Sequence, residues 1–499
     1  MKPDEENRLD ETEKRCRDGA HVRGAGLLPY LAILASFVAA LLYVRLYGVN
    51  VFYADEWDLV PLLRESAHGT LGVADLLAHH NGHVYLFPWS VMLLLGRLTG
   101  YDTVPLMYLV AASLLLTSLA VFHAYSRSVG RFPLACLIFL PVPLLLFSLR
   151  QHENLLWGNQ ITFAFAQTFS VLALYLLFAT TDGRRRKLAF PAAALCATVA
   201  SGSAAPGLLA WPAGLLLLMI YPASGKPANR LFAGAAWGLL GAGIWLVYLA
   251  GRGGSEPPPF AALGHPVAWA EYLITLSGGS LFWSEGAVLT AGTLLVLLAG
   301  AALALILAFG KTGENAFWIS LGVFSLLSLV LIAAGRSGLG GEAFAQAGVS
   351  RYAAFSIPGV VALYCLLANL TLNAGSRVAA GLLAVLAAAM LAGAVGSYPT
   401  GMEAGREIED FREQAVRILV AHETEPFAAF TIFGHEPERV QGYARFLDRR
   451  DYGVFAAEGD GSEGETGNRG DLLGATSRGA SQRTPDAGMH GDTNPSAAP

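Results

Sequence analysis

The sequence predicts an all-α polytopic membrane protein of about eleven transmembrane helices, and three observations carry that expectation. The 499 residues are 54% apolar and only 14% charged. The apolar residues fall in unbroken runs of about 20, the length that crosses a hydrocarbon core of about 30 Å. These runs are rich in Leu and Ala and do not alternate with polar residues. Because lipid satisfies no backbone polar group, they read as helices rather than as strands of a barrel.

Leu27 to Tyr47 is the first run, preceded by Lys14, Arg15, Arg17 and Arg23. It exceeds the apolar region of a signal peptide and ends in Arg45-Leu46-Tyr47-Gly48 rather than at a small-residue cleavage site. It is therefore expected to be an uncleaved anchor with a cytoplasmic N-terminus, in the inner or plasma membrane. Further spans are expected near 104–124, 132–149, 160–180, 188–202, 205–221, 230–250, 285–309, 316–335, 354–372 and 377–396. Tyr85 to Thr99 is short, interrupted by Pro88 and closed by Arg97.

The placement of that stretch decides the topology. If it crosses, the Arg184 to Lys187 run falls outside together with Lys226 and Arg230. If it lies along the surface as an interfacial helix, these residues fall inside together with Arg127, Arg131, Lys311 and Arg377. The positive-inside rule selects the second arrangement. Four polar segments then share the outer face: 48–103, 150–154, 251–284 and 336–351.

The expected organisation is a cytoplasmic tail at 1–25 and a transmembrane body at 26–397, with a large outer loop at 48–103 bearing interfacial helices. A small extracytoplasmic segment follows at 398–457. Within it, 403–422 reads as a separate amphipathic helix presenting Ile408, Phe411, Val416 and Leu419. The stretch 458–499 is Gly-, Ser-, Asp-, Thr- and Pro-rich and reads as disordered. No basic stripe with interleaved aromatics suggests nucleic acid as a partner. Cys16, Cys136, Cys196 and Cys365 imply no disulfide framework.

Candidate chemistry begins at Asp55-Glu56-Trp57-Asp58, just past the first span. Adjacent carboxylates can hold back a proton, or jointly grip a metal or a substrate hydroxyl. The alternative is that Asp55 caps a short helix over 58–66, with Pro61 in its first turn and Asp58 favoured by the helix dipole. The stretch His79-His80-Asn81-Gly82-His83 invites a metal reading that needs a further ligand, which Asp55 could supply. It reads equally as a glycine turn that places Tyr85 and Trp89 in the headgroup belt.

Glu153, in Arg150-Gln151-His152-Glu153-Asn154, is either a second working acid or half of an ion pair with Arg150 in a solvated turn. Arg351, with Arg336 upstream, offers a planar fork suited to phosphate, or else simply reaches for the headgroups. His80 and His83 join the candidate substrate-binding set on position alone.

An acidic pair after the first span, a first outer loop with surface helices, a second acid in the next outer turn and a late outer-loop Arg together resemble the GT-C superfamily of polytopic glycosyltransferases. Its members include oligosaccharyltransferases, protein O-mannosyltransferases and aminoarabinose transferases. The resemblance is architectural and spans roughly residues 27–396. It implies a polyprenyl-phosphate sugar donor and an envelope lipid, glycan or protein as acceptor. By the same resemblance Asp55 is the base or acceptor orienter and Glu56 its neighbour, while Glu153 is a second acid and Arg351 a cation near the lipid phosphate. A divalent metal is compatible with this reading and is not required by it.

Two other classes use lipid-linked sugars: a polysaccharide polymerase or ligase, and a flippase or transporter. A transporter predicts charges in mid-span positions, where this chain has almost none.

Overall fold

The computed structural model describes residues 26–80, 82–130, 132–179, 186–221, 227–251, 266–336, 347–420 and 437–456. The expected tails at 1–25 and 458–499 lie outside them.

Helix α1 (Leu28–Tyr47) shows why the chain is a membrane protein. One face buries Ile33, Ser36, Ala40, Tyr43, Val44 and Tyr47, and the opposite face exposes Leu31, Leu34, Val38, Leu42 and Leu46. A helix face lined with such side chains up to Arg45 in its last turn suits lipid, which does not penalise apolar area. After α1 come α2 (Val60–His68), α3 (Val73–Leu77), a hairpin of β1 (His79–His80) and β2 (His83–Val84), and α4 (Leu86–Thr99). With 14 residues, α4 spans roughly 21 Å and is one of the shorter apolar helices.

The body follows: α5 (Val104–Ser128), α6 (Pro133–Ile138), α7 (Pro141–Leu146), α8 (His152–Leu156), α9 (Ile161–Ala179), α10 (Arg186–Ser201), α11 (Ala210–Ile220) and α12 (Pro227–Ala250). It continues through α13 (Pro266–Gly278), α14 (Glu285–Phe309), α15 (Ala316–Arg336), α16 (Ala353–Ala374) and α17 (Arg377–Val420), and closes with α18 (Pro437–Asp448). Among the described residues, nine helical stretches are long and apolar enough to cross a membrane. Pro133–Leu156 counts as one of them, broken at Pro141 and again past Leu146. Two expected spans, 188–202 and 205–221, are shorter apolar helices. The class is an all-α polytopic membrane protein.

Some polar side chains inside the body pair across helices. Thr117 and Thr168 hydroxyls meet at 2.9 Å, and Asn369 donates to Asn315 at 2.9 Å. Where α13 meets α14, small residues bring the backbones together. A Cβ at Gly292 would stand 2.1 Å from the Ile274 carbonyl oxygen, and one at Gly278 would stand 1.8 Å from that of Val288. Such close crossings give helices packing contact that lipid cannot supply.

The expected separate helix at 403–422 is corrected. α17 runs unbroken for 44 residues through Pro399, roughly 66 Å and twice a bilayer core. Packing holds it together: Gly401 lies against Leu149, Gly405 lies against Tyr43 and Tyr47, and Tyr43 donates to the Gly401 carbonyl at 2.6 Å. Those contacts carry the helix past its span and bring Arg412 to the end of the bundle where α1 finishes.

Candidate functional site

The expected outer segments meet at that end. Phe87 N donates to the Gly202 carbonyl at 3.1 Å, and Tyr248 donates to the Gly82 carbonyl at 2.8 Å. The first loop is thereby pinned to the α10–α11 turn and to the end of α12. α18 closes from above: Arg64 donates to the Gly442 carbonyl at 2.8 Å, Trp57 stacks on Tyr443, and Gly453 N reaches the Gly100 carbonyl at 2.7 Å.

The acidic tetrad lies on a 3-10 turn, Ala54–Leu59. Tyr53 is extended, and Glu56 reaches back to accept its backbone N–H at 2.9 Å, the glutamate half of a capping box. The second oxygen of Glu56 accepts Asn159 N at 2.9 Å, tying the turn to the loop before α9. Glu56 is 1% exposed, and burial pushes its pKa up to about 7 against the pull of Arg412 and of these two N–H bonds. Arg412, itself buried, donates to the Leu156 carbonyl and lies 5.4 Å over the Tyr53 ring.

The alternative in which Asp55 caps a helix is therefore set aside: Glu56 supplies the capping carboxylate at Tyr53. Asp55 accepts no hydrogen bond and makes no ion pair among the described residues. It follows Ala54, whose φ of +46° puts a non-glycine residue in the left-handed region, a cost of about 1–2 kcal/mol. Asp58 does more than lean on a helix dipole: it accepts Arg439 Nη2 at 2.8 Å and faces His80 Nε2 at 3.1 Å. One oxygen of Asp55, one of Asp58 and one nitrogen of His80 lie within 4.8 Å of one another.

His83 is placed differently. Its Nδ1 accepts Ala205 N at 3.2 Å, so it serves the loop–turn junction.

Glu153 is also re-partnered. Arg150, expected beside it, turns away to the Gly279 and Gly348 carbonyls and lies 4.5 Å over the Trp283 ring. Glu153 instead accepts the Ser350 hydroxyl at 2.9 Å, Arg351 N at 2.9 Å and Arg351 Nη1 at 3.1 Å. This latch joins α8 to the start of α16.

The candidates share one electrostatic neighbourhood. Arg351 feels the charges of Glu153 and Asp55, Tyr85 feels Asp55, Asp58 and Arg336, and Arg412 feels Glu56 and Glu153. Burial raises the Tyr85 phenol well above its ordinary range. Asp55, Glu153 and Arg351 thus gather at one end of the bundle, with His80 beside Asp55 and Arg336 at the end of α15.

Sequence reasoning missed Arg412 and Arg439. Arg412 had a readable signal: with Ile408 and Val416 it lies at four-residue spacing, a lone charge inside an apolar stripe. Arg439 had none.

No protein-family model, curated protein or solved structure matches the chain. The class stated above, an all-α polytopic membrane protein, rests on the fold itself.

Proposed function

We propose that this protein is a membrane glycosyltransferase of GT-C type, moving a sugar from a polyprenyl-phosphate donor to an envelope lipid, glycan or protein acceptor. The short helices α10 and α11 count as crossings in this reading, giving eleven spans, a cytoplasmic N-terminus and an extracytoplasmic site. The observation that carries it is Asp55: a half-buried carboxylate with no hydrogen bond among the described residues, within electrostatic reach of Arg351, at the membrane-exit end of the bundle. An unencumbered acid beside cations suits a base that takes a hydroxyl proton while a phosphate-bearing donor is held nearby. Arg351 holds Glu153 with one arm of its guanidinium, and Arg336 is the second cation for the donor phosphate. Glu56 and Glu153 serve as framework around the working acid.

A flippase or transporter reading is disfavoured because the spans carry almost no mid-membrane charge. The test is deletion of the gene followed by mass analysis of envelope glycans and polyprenyl-linked sugars. Loss of one sugar from the envelope, with its lipid-linked donor accumulating, is expected. Complementation with Asp55→Asn should restore transfer roughly 100- to 10,000-fold less well than the wild type. An unchanged glycan and donor profile in the deletion strain sinks the proposal.

A further inference from the structure

Neighbouring ligands of an ion bound at about 2.1 Å stand about 3.0–3.4 Å apart in octahedral or tetrahedral geometry. His80 Nε2 and Asp58 Oδ2 already have that spacing, at 3.1 Å. Asp55 completes the group, with all three donor atoms inside 4.8 Å, so a side-chain rotation closes the set.

An independent observation points the same way. Asp55 is half-buried and, among the described residues, neither accepts a hydrogen bond nor makes an ion pair, whereas Glu56, Asp58 and Glu153 are all engaged. Two carboxylates held this close repel unless a cation or proton lies between them. Arg439 binds Asp58 through Oδ1, and Oδ2 faces His80.

We infer that Asp55, Asp58 and His80 form a binding site for one divalent cation of the Mn2+ or Zn2+ kind. Two carboxylate oxygens and an imidazole nitrogen suit such ions, whereas all-oxygen sets suit Ca2+ or Mg2+ and thiolates suit softer metals. Arg439 acts as an outer partner that fixes the Asp58 carboxylate. Three protein ligands leave coordination positions open for water or a substrate oxygen, which the ion polarises. The cation would share Asp55 with the transferase reading, yet its binding is measured without any sugar substrate, so either can fail alone.

The test uses the full-length protein, purified in detergent with a histidine-free tag and stripped with chelator. Mn2+ is titrated by electron paramagnetic resonance of the free ion, and Zn2+ by calorimetry. One ion per chain is expected, with Kd below ~100 μM. Asp55→Asn and His80→Gln should each weaken binding by about 10- to 100-fold, and Glu314→Gln, on the loop before α15, should not. Thermal unfolding of each variant is followed in parallel, and His80→Gln decides by itself if Asp55→Asn lowers the midpoint. No binding of either ion below ~1 mM, or binding that survives both substitutions in folded protein, overturns the inference.

Discussion

Glu153 and Arg351 read from sequence as a catalytic acid and a phosphate-binding cation, and the structure adds a framework role that can be measured. The perturbation is Glu153→Gln. Its carboxylate accepts three hydrogen bonds, two of them from Arg351 and one from Ser350. An amide keeps one acceptor oxygen and turns an NH2 group toward a donor, so at least one contact becomes donor against donor. Hydrogen bonds to charged groups contribute about 1.5–3 kcal/mol each, and breaking a fully buried pair costs about 3–5 kcal/mol. The Arg351 and Glu153 side chains are 30% and 25% exposed, so solvent screening brings the expectation down to about 2–3 kcal/mol.

The assay is denaturant-induced unfolding in mixed micelles for wild type, Glu153→Gln, Arg351→Ala and the double variant. Coupling between the two sites should be about 1–2 kcal/mol. Additivity within about 0.5 kcal/mol, or a Glu153→Gln cost below that figure, refutes the latch.

Asp55 should behave in the opposite way. With no hydrogen bond or ion pair to lose among the described residues, Asp55→Asn should shift unfolding in the same micelles by less than about 0.5 kcal/mol; a larger loss means that it is framework. Glu56 gives a pH signature, because burial raises its pKa from 4.5 to about 7 with Arg412 and Asp55 as its charged neighbours. The folded chain then holds a proton that the unfolded chain releases, so this contribution is fully present below pH 4.5 and is lost as pH rises through about 7. Glu56→Gln should flatten the fall of the unfolding midpoint across that window, and an unchanged slope counts against the assignment. Gly292→Val should destabilise by more than ~2 kcal/mol, because even its Cβ would meet the Ile274 carbonyl; a neutral result in thermal unfolding would show that α13 and α14 slide apart freely.

What the sequence made legible was whatever depends on local pattern. Apolar runs marked the long spans, and the short apolar stretch closed by Arg97 marked α4 as a shorter helix. Partner choice across the chain was not legible. Glu153 lies three residues from Arg150 yet bonds to Arg351, 198 residues away, because Arg150 finds the Gly279 and Gly348 carbonyls instead. The capping contact was not legible either: of the two acids it is Glu56 that accepts the Tyr53 backbone N–H. The turn also begins at Ala54 with a left-handed φ, and an alanine gives no warning of it. The length of α17 was hidden by Pro399, a helix-breaking signal that packing of Gly401 and Gly405 outweighs.

The four carboxylates at this end divide by what holds them. Glu56 and Glu153 each have both oxygens engaged by N–H or O–H donors from distant segments, so they fix the geometry of the loop that carries Asp55. Asp58 stands between, oriented by Arg439 from α18. Of the four, Asp55 alone has no donor among the described residues, one residue after a backbone conformation that costs about 1–2 kcal/mol. A fold that needed only stability would relax such a turn or pair such an acid. Strain and an unpaired charge retained together, among three other acids that are each held by donors, support the proposal that gives Asp55 the working role.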